Sequence, residues 1–331
     1  MVRVAAWLGT MGPSFRFVAE TLGQVAGVWM STSTVWRCHK EVAEQQRQGL
    51  AQEEQELIDW GGEAGEEKER VAACCAVGEK ASVSVDGALI RIREEGYREV
   101  KMASISEVRE DRKRRKRRAG GVEQEGVQLG RHSYRAVLGE KGAFEPGLRA
   151  ELVRRRVMDA TEITSVNDGA DWIWDLVGRY LPEKRVEVLD WSHAIQNLAK
   201  AAAAAFGEGT PEAQAWLAQR KAELWEGRVA AVGVALQRLP RRRKERGRAI
   251  RNVQEYVVRH AKRMDYARFR AEGRPIGSGT VESAAKNVVQ WRMKRGGQCW
   301  SPEGARRMLA ALGEAHSGRW GQHCQRLAKA A

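Results

Sequence analysis

Three acidic residues stand where a carboxylate could do chemistry. Asp86 follows an apolar run and precedes Gly87, while Asp168 precedes another glycine in the stretch "VNDGADW". Glu282 opens a late helical pattern after the flexible stretch "GSG". Cleavage of a phosphodiester by two metal ions needs several carboxylates that converge on ions roughly 3.5 to 4 Å apart. Mg²⁺ uses one or two protein carboxylates together with water and substrate oxygens. These acids therefore fit a metal site.

A structural interpretation of each acid is also open. Asp-Gly and Asn-Asp-Gly are common in turns, and an acid in the first turn of a helix is stabilised by the helix dipole. Taken singly, each acid is more easily explained as structural. The predicted position of Asp168 at the carboxyl end of a strand, where open α/β sheets bind ligands, favours the metal site.

The helical pattern that contains Glu282 is otherwise cationic. Lys286 lies one turn later on the same face, where it could reach a phosphate backbone. Arg292, Lys294 and Arg295 follow and extend the predicted DNA-binding surface.

The whole chain is also strongly basic. Lys and Arg number 57 against 43 Asp and Glu, which gives a net charge of +14 and a pI near 9.9. This excess favours a polyanionic partner, nucleic acid first and a membrane surface second. No apolar stretch approaches the roughly 20 residues of a membrane span, and no secretory leader is evident. Together with the absence of a C-x-x-C pair, these features predict a reduced, cytoplasmic protein without structural zinc, whose five cysteines are Cys38, Cys74, Cys75, Cys299 and Cys324.

Residues 15–46 are typical of a helix-turn-helix. An apolar helical pattern is followed by a glycine-containing turn and a second helix that opens on "STST". Arg37 and Lys40 lie on the second helix and are predicted to contact DNA.

The hydrophobic period then changes from that of helices to that of strands. "ASVSVDGALIRI", "YREVKMASISEV" and "HSYRAVLGE" predict three strands, and a strand, helix, strand, helix series follows from about residue 162. This order predicts an α/β fold, more closely a mixed α+β fold, with a mixed sheet flanked by helices. Residues 210–267 are almost wholly helical by pattern and resemble an insertion.

Two basic runs interrupt this core. "REDRKRRKRRAGG" predicts a mobile loop between two strands, and "RRRKERGR" lies within the helical segment. Phosphate contacts are predicted for the following members: Lys113, Arg114, Arg115, Lys116, Arg117, Arg241, Arg242 and Arg243.

Several blocks resemble the DDE transposases of bacterial insertion sequences, specifically the ISKra group, which is related to the Mutator-like transposases. They span about residues 80 to 320 in the expected order and include "SVDGALIRIREEGYREVK", "VNDGADWIWDLVGRYLP", "VLDWSHAIQNL", "RPIGSGTVESAAKNVVQWRMKRGG" and "HSGRW". The resemblance implies an RNase H-like fold with an all-helical insertion before the last catalytic acid.

The resemblance also implies which residues act. The family's catalytic acids fall on Asp86, Asp168 and Glu282, which would hold two ions of Mg²⁺ or Mn²⁺. Asp190 and His193 in "DWSH" match the C/D-x-x-H signature of Mutator-like relatives and would orient DNA or the metal ligands. Asp190 is also a competing assignment for the second acid, because it too ends a predicted strand.

The implied division of the chain has six parts. They are a helix-turn-helix-like DNA-binding segment at 1–46, a helical linker at 47–80, the first part of the catalytic core at 81–206, an all-helical insertion at 207–270, the final core helix at 271–300 and a helical tail at 301–331.

The implied activity is DNA transposition. Such an enzyme cuts double-stranded DNA at the ends of its element and joins the freed 3′-hydroxyls to target DNA, acting as a homo-oligomer on DNA associated with the nucleoid. Two alternatives stay open at this point: an RNase H-like nuclease of the resolvase type, and a truncated or non-catalytic DNA-binding protein derived from a transposase.

Overall fold

The computed structural model describes residues 1–59, 76–117, 123–240 and 244–321. Helices surround a mixed sheet of five strands, so the predicted α/β (mixed α+β) class is confirmed. No helix in these described ranges is both long enough and apolar enough to cross a membrane.

The strand order in the sheet is β3-β2-β1-β4-β5. The strands are β1 (Lys80–Ile92), β2 (Gly96–Arg117), β3 (Glu123–Leu138), β4 (Glu162–Asn167) and β5 (Val186–Leu189). β1 and β2 are antiparallel, whereas β4 and β5 are parallel.

One predicted loop is a strand. The basic run was expected to connect two strands as a mobile loop, but its first nine residues, up to Arg117, belong to β2. The rest of the run lies outside the described residues. A strand is built from backbone hydrogen bonds, which any residue except proline can donate, so a charged run can extend a strand that is already paired.

Thirteen α-helices are present in the described residues. They are α1 (Val2–Met11), α2 (Phe15–Ala26), α3 (Thr32–Asp59), α4 (Lys141–Arg154), α5 (Asp171–Tyr180), α6 (Trp191–Phe206), α7 (Pro211–Trp225), α8 (Val229–Gln237), α9 (Lys244–His260), α10 (Tyr266–Ala271), α11 (Gly279–Ala284), α12 (Trp291–Met293) and α13 (Pro302–His316). A π-helical segment, Ala285–Gln290, links α11 to α12.

Residue contacts divide the chain into two compact units. The first unit comprises Met1–Glu107, Gly130–Thr161 and Gly279–Ala331, and the second comprises Val108–Leu129 and Glu162–Ser278.

Serine hydroxyls start the second and third helices of the first unit. Ser14 and Ser31 each accept a backbone N–H from three residues further on, at 3.1 Å. α3 then runs without a break to Asp59, so the predicted boundary between segments 1–46 and 47–80 falls inside one helix. The helix-turn-helix assignment stays a prediction.

The core of the first unit joins β1 to the late helices. Ile90 of β1 packs with Val288 and Val289 of the π segment and with Leu309 of α13. All four side chains are almost fully buried, which fixes the helix that contains Glu282 against the strand that contains Asp86.

The second unit places helices α5 to α10 around β4 and β5. The carboxylate of Asp190 starts α6 by accepting the backbone N–H of His193 at 2.8 Å. Trp191 follows directly, packs edge-on against Tyr266 of α10 with ring centroids 4.8 Å apart, and donates its backbone N–H to the carbonyl oxygen of Ile276. These contacts bring the start of α6, helix α10 and the chain before residue 279 together.

Candidate metal site at the ends of two parallel strands

Two neighbouring parallel strands each end directly before an aspartate. Asn167 and Leu189 are register partners at the ends of β4 and β5, and Asp168 and Asp190 follow them. The backbone N–H of Asp190 donates to the carbonyl oxygen of Asn167 at 2.7 Å. Both aspartates therefore lie at the carboxyl edge of the sheet, where open α/β sheets bind ligands.

Two tyrosine hydroxyls hold the backbone at this edge. Tyr256 of α9 donates to the carbonyl oxygen of Asp168 at 2.9 Å, and Tyr266 of α10 donates to that of Leu189 at 3.1 Å. Burial raises the pKa of both tyrosines well above its usual value, and the negative charge of Asp190 raises both further. Both hydroxyls therefore stay protonated and act as donors over the physiological pH range.

Asp168 forms a tight turn with one carboxylate oxygen. Its Oδ1 accepts the backbone N–H of Ala170 at 3.0 Å, and Gly169 between them has a φ of 98°. A side chain at Gly169 would also meet the hydroxyl of Tyr256 at 2.8 Å and a methyl group of Leu189 at 3.0 Å. Oδ2 of Asp168 accepts no hydrogen bond from the residues that the structure describes, and the side chain is partly exposed. That oxygen can take a ligand.

Asp190 is occupied on both oxygens and is only 1% exposed. Oδ1 accepts the N–H of His193, and Oδ2 accepts both the N–H of Ser278 at 2.6 Å and its hydroxyl at 2.9 Å. Ser278 directly precedes α11, so one carboxylate ties the start of α6 to the residue before the helix that carries Glu282. Asp190 thus has a clear positioning role.

His193 lies half-buried in the first turn of α6, three residues after Asp190. Glu282 is also half-buried and lies in the first turn of α11, in the first unit. Asp86 belongs to the first unit together with Glu282, whereas Asp168, Asp190 and His193 belong to the second. The convergence of the three predicted catalytic acids on a metal ion stays a prediction.

The donor set fits a divalent cation. Carboxylate oxygens suit Mg²⁺ and Mn²⁺, whereas imidazole nitrogen suits the transition metals. Asp86, Asp168 and Glu282 offer only carboxylate oxygens, so the predicted ligands fit both Mg²⁺ and Mn²⁺.

Asp86 lies inside β1 rather than at its end. It is opposite Met102 of β2, and its Oδ1 accepts the N–H of Gly87 at 2.7 Å. A side chain at Gly87 would come within 2.1 Å of a carboxylate oxygen at the end of the flexible Glu99 side chain, which would have to move.

One residue of the predicted DNA-binding surface is buried. Arg292 is 2% exposed, and its guanidinium donates twice to the carbonyl oxygen of Gly9 at 3.2 Å. Arg292 is therefore not part of an exposed surface as predicted, because its guanidinium is held inside the first unit by this carbonyl and by the rings of Phe15 and Trp300. The other described members of the set are exposed: Arg37, Lys40, Lys286, Lys294 and Arg295.

Eight predicted phosphate-binding residues cannot be placed on a surface. Arg241, Arg242 and Arg243 lie outside the described residues. The remaining five belong to the strand β2, but their side chains lie outside what the structure describes: Lys113, Arg114, Arg115, Lys116 and Arg117.

Sequence reasoning missed three residues that hold the site. Ser278 contacts Asp190 across 88 positions, while the tyrosines at 256 and 266 reach carbonyls 88 and 77 positions away. No short-range pattern in the sequence indicates contacts between residues that lie so far apart along the chain. The only available signal was the location of Tyr266 and Ser278 inside or beside the blocks that carry the family resemblance.

Comparisons of the chain with known proteins add no relative. No protein-family model matches the sequence, and no curated protein matches it either. The transposase resemblance therefore rests on the motifs of the sequence itself.

Proposed function

We propose that the chain is a DNA transposase of an insertion sequence, which cleaves DNA at element ends with divalent metal ions and joins these ends to target DNA. The observation that carries the proposal is the pair of parallel strands β4 and β5, which end in register and are each followed by an aspartate. An acidic edge of this kind, in a chain with a net charge of +14, suits metal-dependent chemistry on a polyanion.

In this proposal the two aspartates have different roles. Asp168 is a metal ligand, because its Oδ2 accepts no hydrogen bond from the described residues. Asp190 is a positioning residue whose contact with Ser278 fixes the chain four residues before Glu282. Bound Mg²⁺ or Mn²⁺ supplies Lewis-acid chemistry at the phosphodiester. Asp86 and Glu282 are the further ligands that the family resemblance implies.

Exposed cations supply the DNA contacts. Arg37 and Lys40 lie on α3, while Lys286, Lys294 and Arg295 lie on or directly after the helix of Glu282. Such residues bind phosphates and make affinity depend on salt. The proposal includes a homo-oligomer on double-stranded DNA in the cytoplasm, associated with the nucleoid.

The test is a cleavage and joining assay on DNA that carries the element's own ends, in Mg²⁺ or Mn²⁺ and in EDTA. The transposase proposal predicts metal-dependent joining, which Asp86→Ala abolishes while DNA binding is kept. Cleavage without joining would instead identify a nuclease of the resolvase type. Absence of cleavage by a folded wild type that binds DNA would identify a non-catalytic DNA-binding protein.

A further inference from the structure

A cavity of about 500 Å³ lies in the first unit, between the start of α2, the first half of α3 and the chain that follows α12. Ligand sites for small molecules commonly have volumes of about 300 to 1,000 Å³. None of the residues that line it is one of the candidate metal ligands. The cavity is therefore distinct from the candidate metal ligands.

The cavity is lined by cations and by no acidic residue. Lys40, Arg93, Arg292 and Arg307 contribute to its wall. Arg307 is balanced by Glu44, which lies 3.4 Å away and outside the lining. The other three cations leave the cavity with an excess of positive charge, which selects an anion.

Among these cations, Arg292 gives the strongest evidence for a bound anion. It is almost fully buried, and its described contacts are the carbonyl oxygen of Gly9 and the rings of Phe15 and Trp300. No carboxylate of the described residues forms an ion pair with it. Burial lowers its pKa to about 10, with a smaller effect from Arg295, so it remains charged at neutral pH. A buried charge without a counter-ion is costly, and an anion in the cavity would remove that cost.

A second buried polar group faces the same cavity. His39 lines it and is 4% exposed, and its Nε2 has no hydrogen-bond partner among the described residues. Burial lowers the pKa of His39 to about 3, which keeps the imidazole neutral, and the charges of Arg292 and Arg307 act in the same direction. Buried polar atoms in proteins are almost always hydrogen-bonded, so this nitrogen is an unsatisfied polar group beside the cavity.

Aromatic rings provide the other part of the wall. Trp36 is 46% exposed, and Nζ of Lys40 lies 5.5 Å from the centre of its ring. Trp300 lines the cavity as well, anchored by a hydrogen bond from its indole N–H to the carbonyl oxygen of Met293 at 3.0 Å. An exposed tryptophan beside a cation offers a stacking face for a planar base next to a phosphate site.

We propose that this cavity binds a nucleoside phosphate, with the phosphate held by Lys40, Arg93 and Arg292 and the base stacked on Trp36. The nucleotide is either free or a unit of a single DNA strand, because the recognised chemistry is the same. The inference goes beyond the proposed transposase activity and does not depend on it, since no metal ligand takes part.

Binding is measured on the full chain in EDTA, so that a failure of the metal chemistry cannot affect the result. Isothermal titration uses thymidine 5′-monophosphate, thymidine, inorganic phosphate and a 5′-phosphorylated single-stranded oligonucleotide. Alkylation by iodoacetamide, mapped by mass spectrometry, reports occupancy, because Cys299 lines the cavity and is partly exposed whereas Cys38 is buried elsewhere. We expect the mononucleotide to bind, to protect Cys299, and to exceed both thymidine and phosphate in affinity.

Variants test the assigned contacts. Lys40→Ala and Trp36→Ala change exposed side chains and should leave folding intact, and each should weaken nucleotide binding about tenfold. Arg306→Ala is the matched control, because Arg306 is exposed on α13 and does not line the cavity. Equal affinity of mononucleotide and oligonucleotide identifies a free nucleotide as the ligand, and tighter binding of the oligonucleotide, competed by the mononucleotide, identifies a DNA strand. Failure of both ligands to protect Cys299, or binding unchanged in both variants, would overturn the proposal.

Discussion

Asp168 and Asp190 stand at equivalent places in the fold and differ in what surrounds their carboxylates. Asp190 is buried and accepts hydrogen bonds from His193 and Ser278 on both oxygens, while Asp168 uses one oxygen in its own turn. Sequence motifs predicted the positions of both residues and favoured Asp168 as the catalytic acid, with Asp190 as the competing assignment. The anchoring of Asp190 by Ser278 could not be predicted, because a contact across 88 positions leaves no local pattern.

Replacement of the two aspartates should therefore affect stability differently. Asp190→Ala removes the cap of α6 and leaves both donors of Ser278 without their acceptor, so the free energy of unfolding should fall by about 3 kcal/mol. Asp168→Ala removes one turn hydrogen bond at a partly exposed position and should cost about 1 kcal/mol. Urea unfolding followed by circular dichroism measures both. Equal losses would show that Asp190 has no special anchoring role.

At the scale of elements, helices α9 and α10 each contribute a tyrosine whose hydroxyl binds the backbone at the end of a strand. The sequence predicted that this segment is helical, since its apolar residues recur with the period of a helix. It could not predict which helix face meets β4 or β5, because that is decided by packing. The same limit explains the basic run in β2, whose charges favoured a loop while backbone pairing makes it a strand.

Tyr266→Phe should destabilise the protein by about 1 to 2 kcal/mol, because it leaves the carbonyl oxygen of Leu189 without a donor in a buried place. Tyr256→Phe is the matched variant, because the hydroxyl of Tyr256 binds the carbonyl directly after the neighbouring strand β4, and it should cost less, since this contact is only partly buried. Both proteins are compared with wild type by thermal and urea unfolding. An unchanged stability for Tyr266→Phe would contradict the role assigned to its hydroxyl.

At the scale of the whole molecule, a buried and neutral histidine makes the free energy of unfolding depend on pH. Burial lowers the pKa of His39 from its ordinary 6.5 to about 3 in the folded protein. Between these values the unfolded chain binds a proton at this histidine and the folded chain does not, so stability decreases as the pH falls below 6.5. The sequence located this histidine on a helix but not its burial, which depends on its packing against Phe15.

His39→Leu should weaken the dependence of the free energy of unfolding on pH below 6.5. One histidine of this kind contributes a slope of about 1.4 kcal/mol per pH unit below 6.5. Urea unfolding at several pH values between 7 and 5 measures the slope for wild type and variant, and the exposed neighbour Lys40→Ala serves as the control with an unchanged slope. A His39→Leu slope equal to that of wild type would show that His39 is not the group responsible.

The roles proposed for the two aspartates are tested most directly by comparing their variants in DNA joining. The measurement is joining of DNA that carries the element's ends to target DNA, in Mg²⁺ or Mn²⁺ with an EDTA control, for wild type, Asp168→Asn and Asp190→Asn under conditions where each protein is folded. We expect metal-dependent joining by wild type, its complete loss in Asp168→Asn and a residual rate in Asp190→Asn. Joining that survives in Asp168→Asn and is abolished in Asp190→Asn would contradict the assignment of Asp168 as the metal ligand at this edge of the sheet.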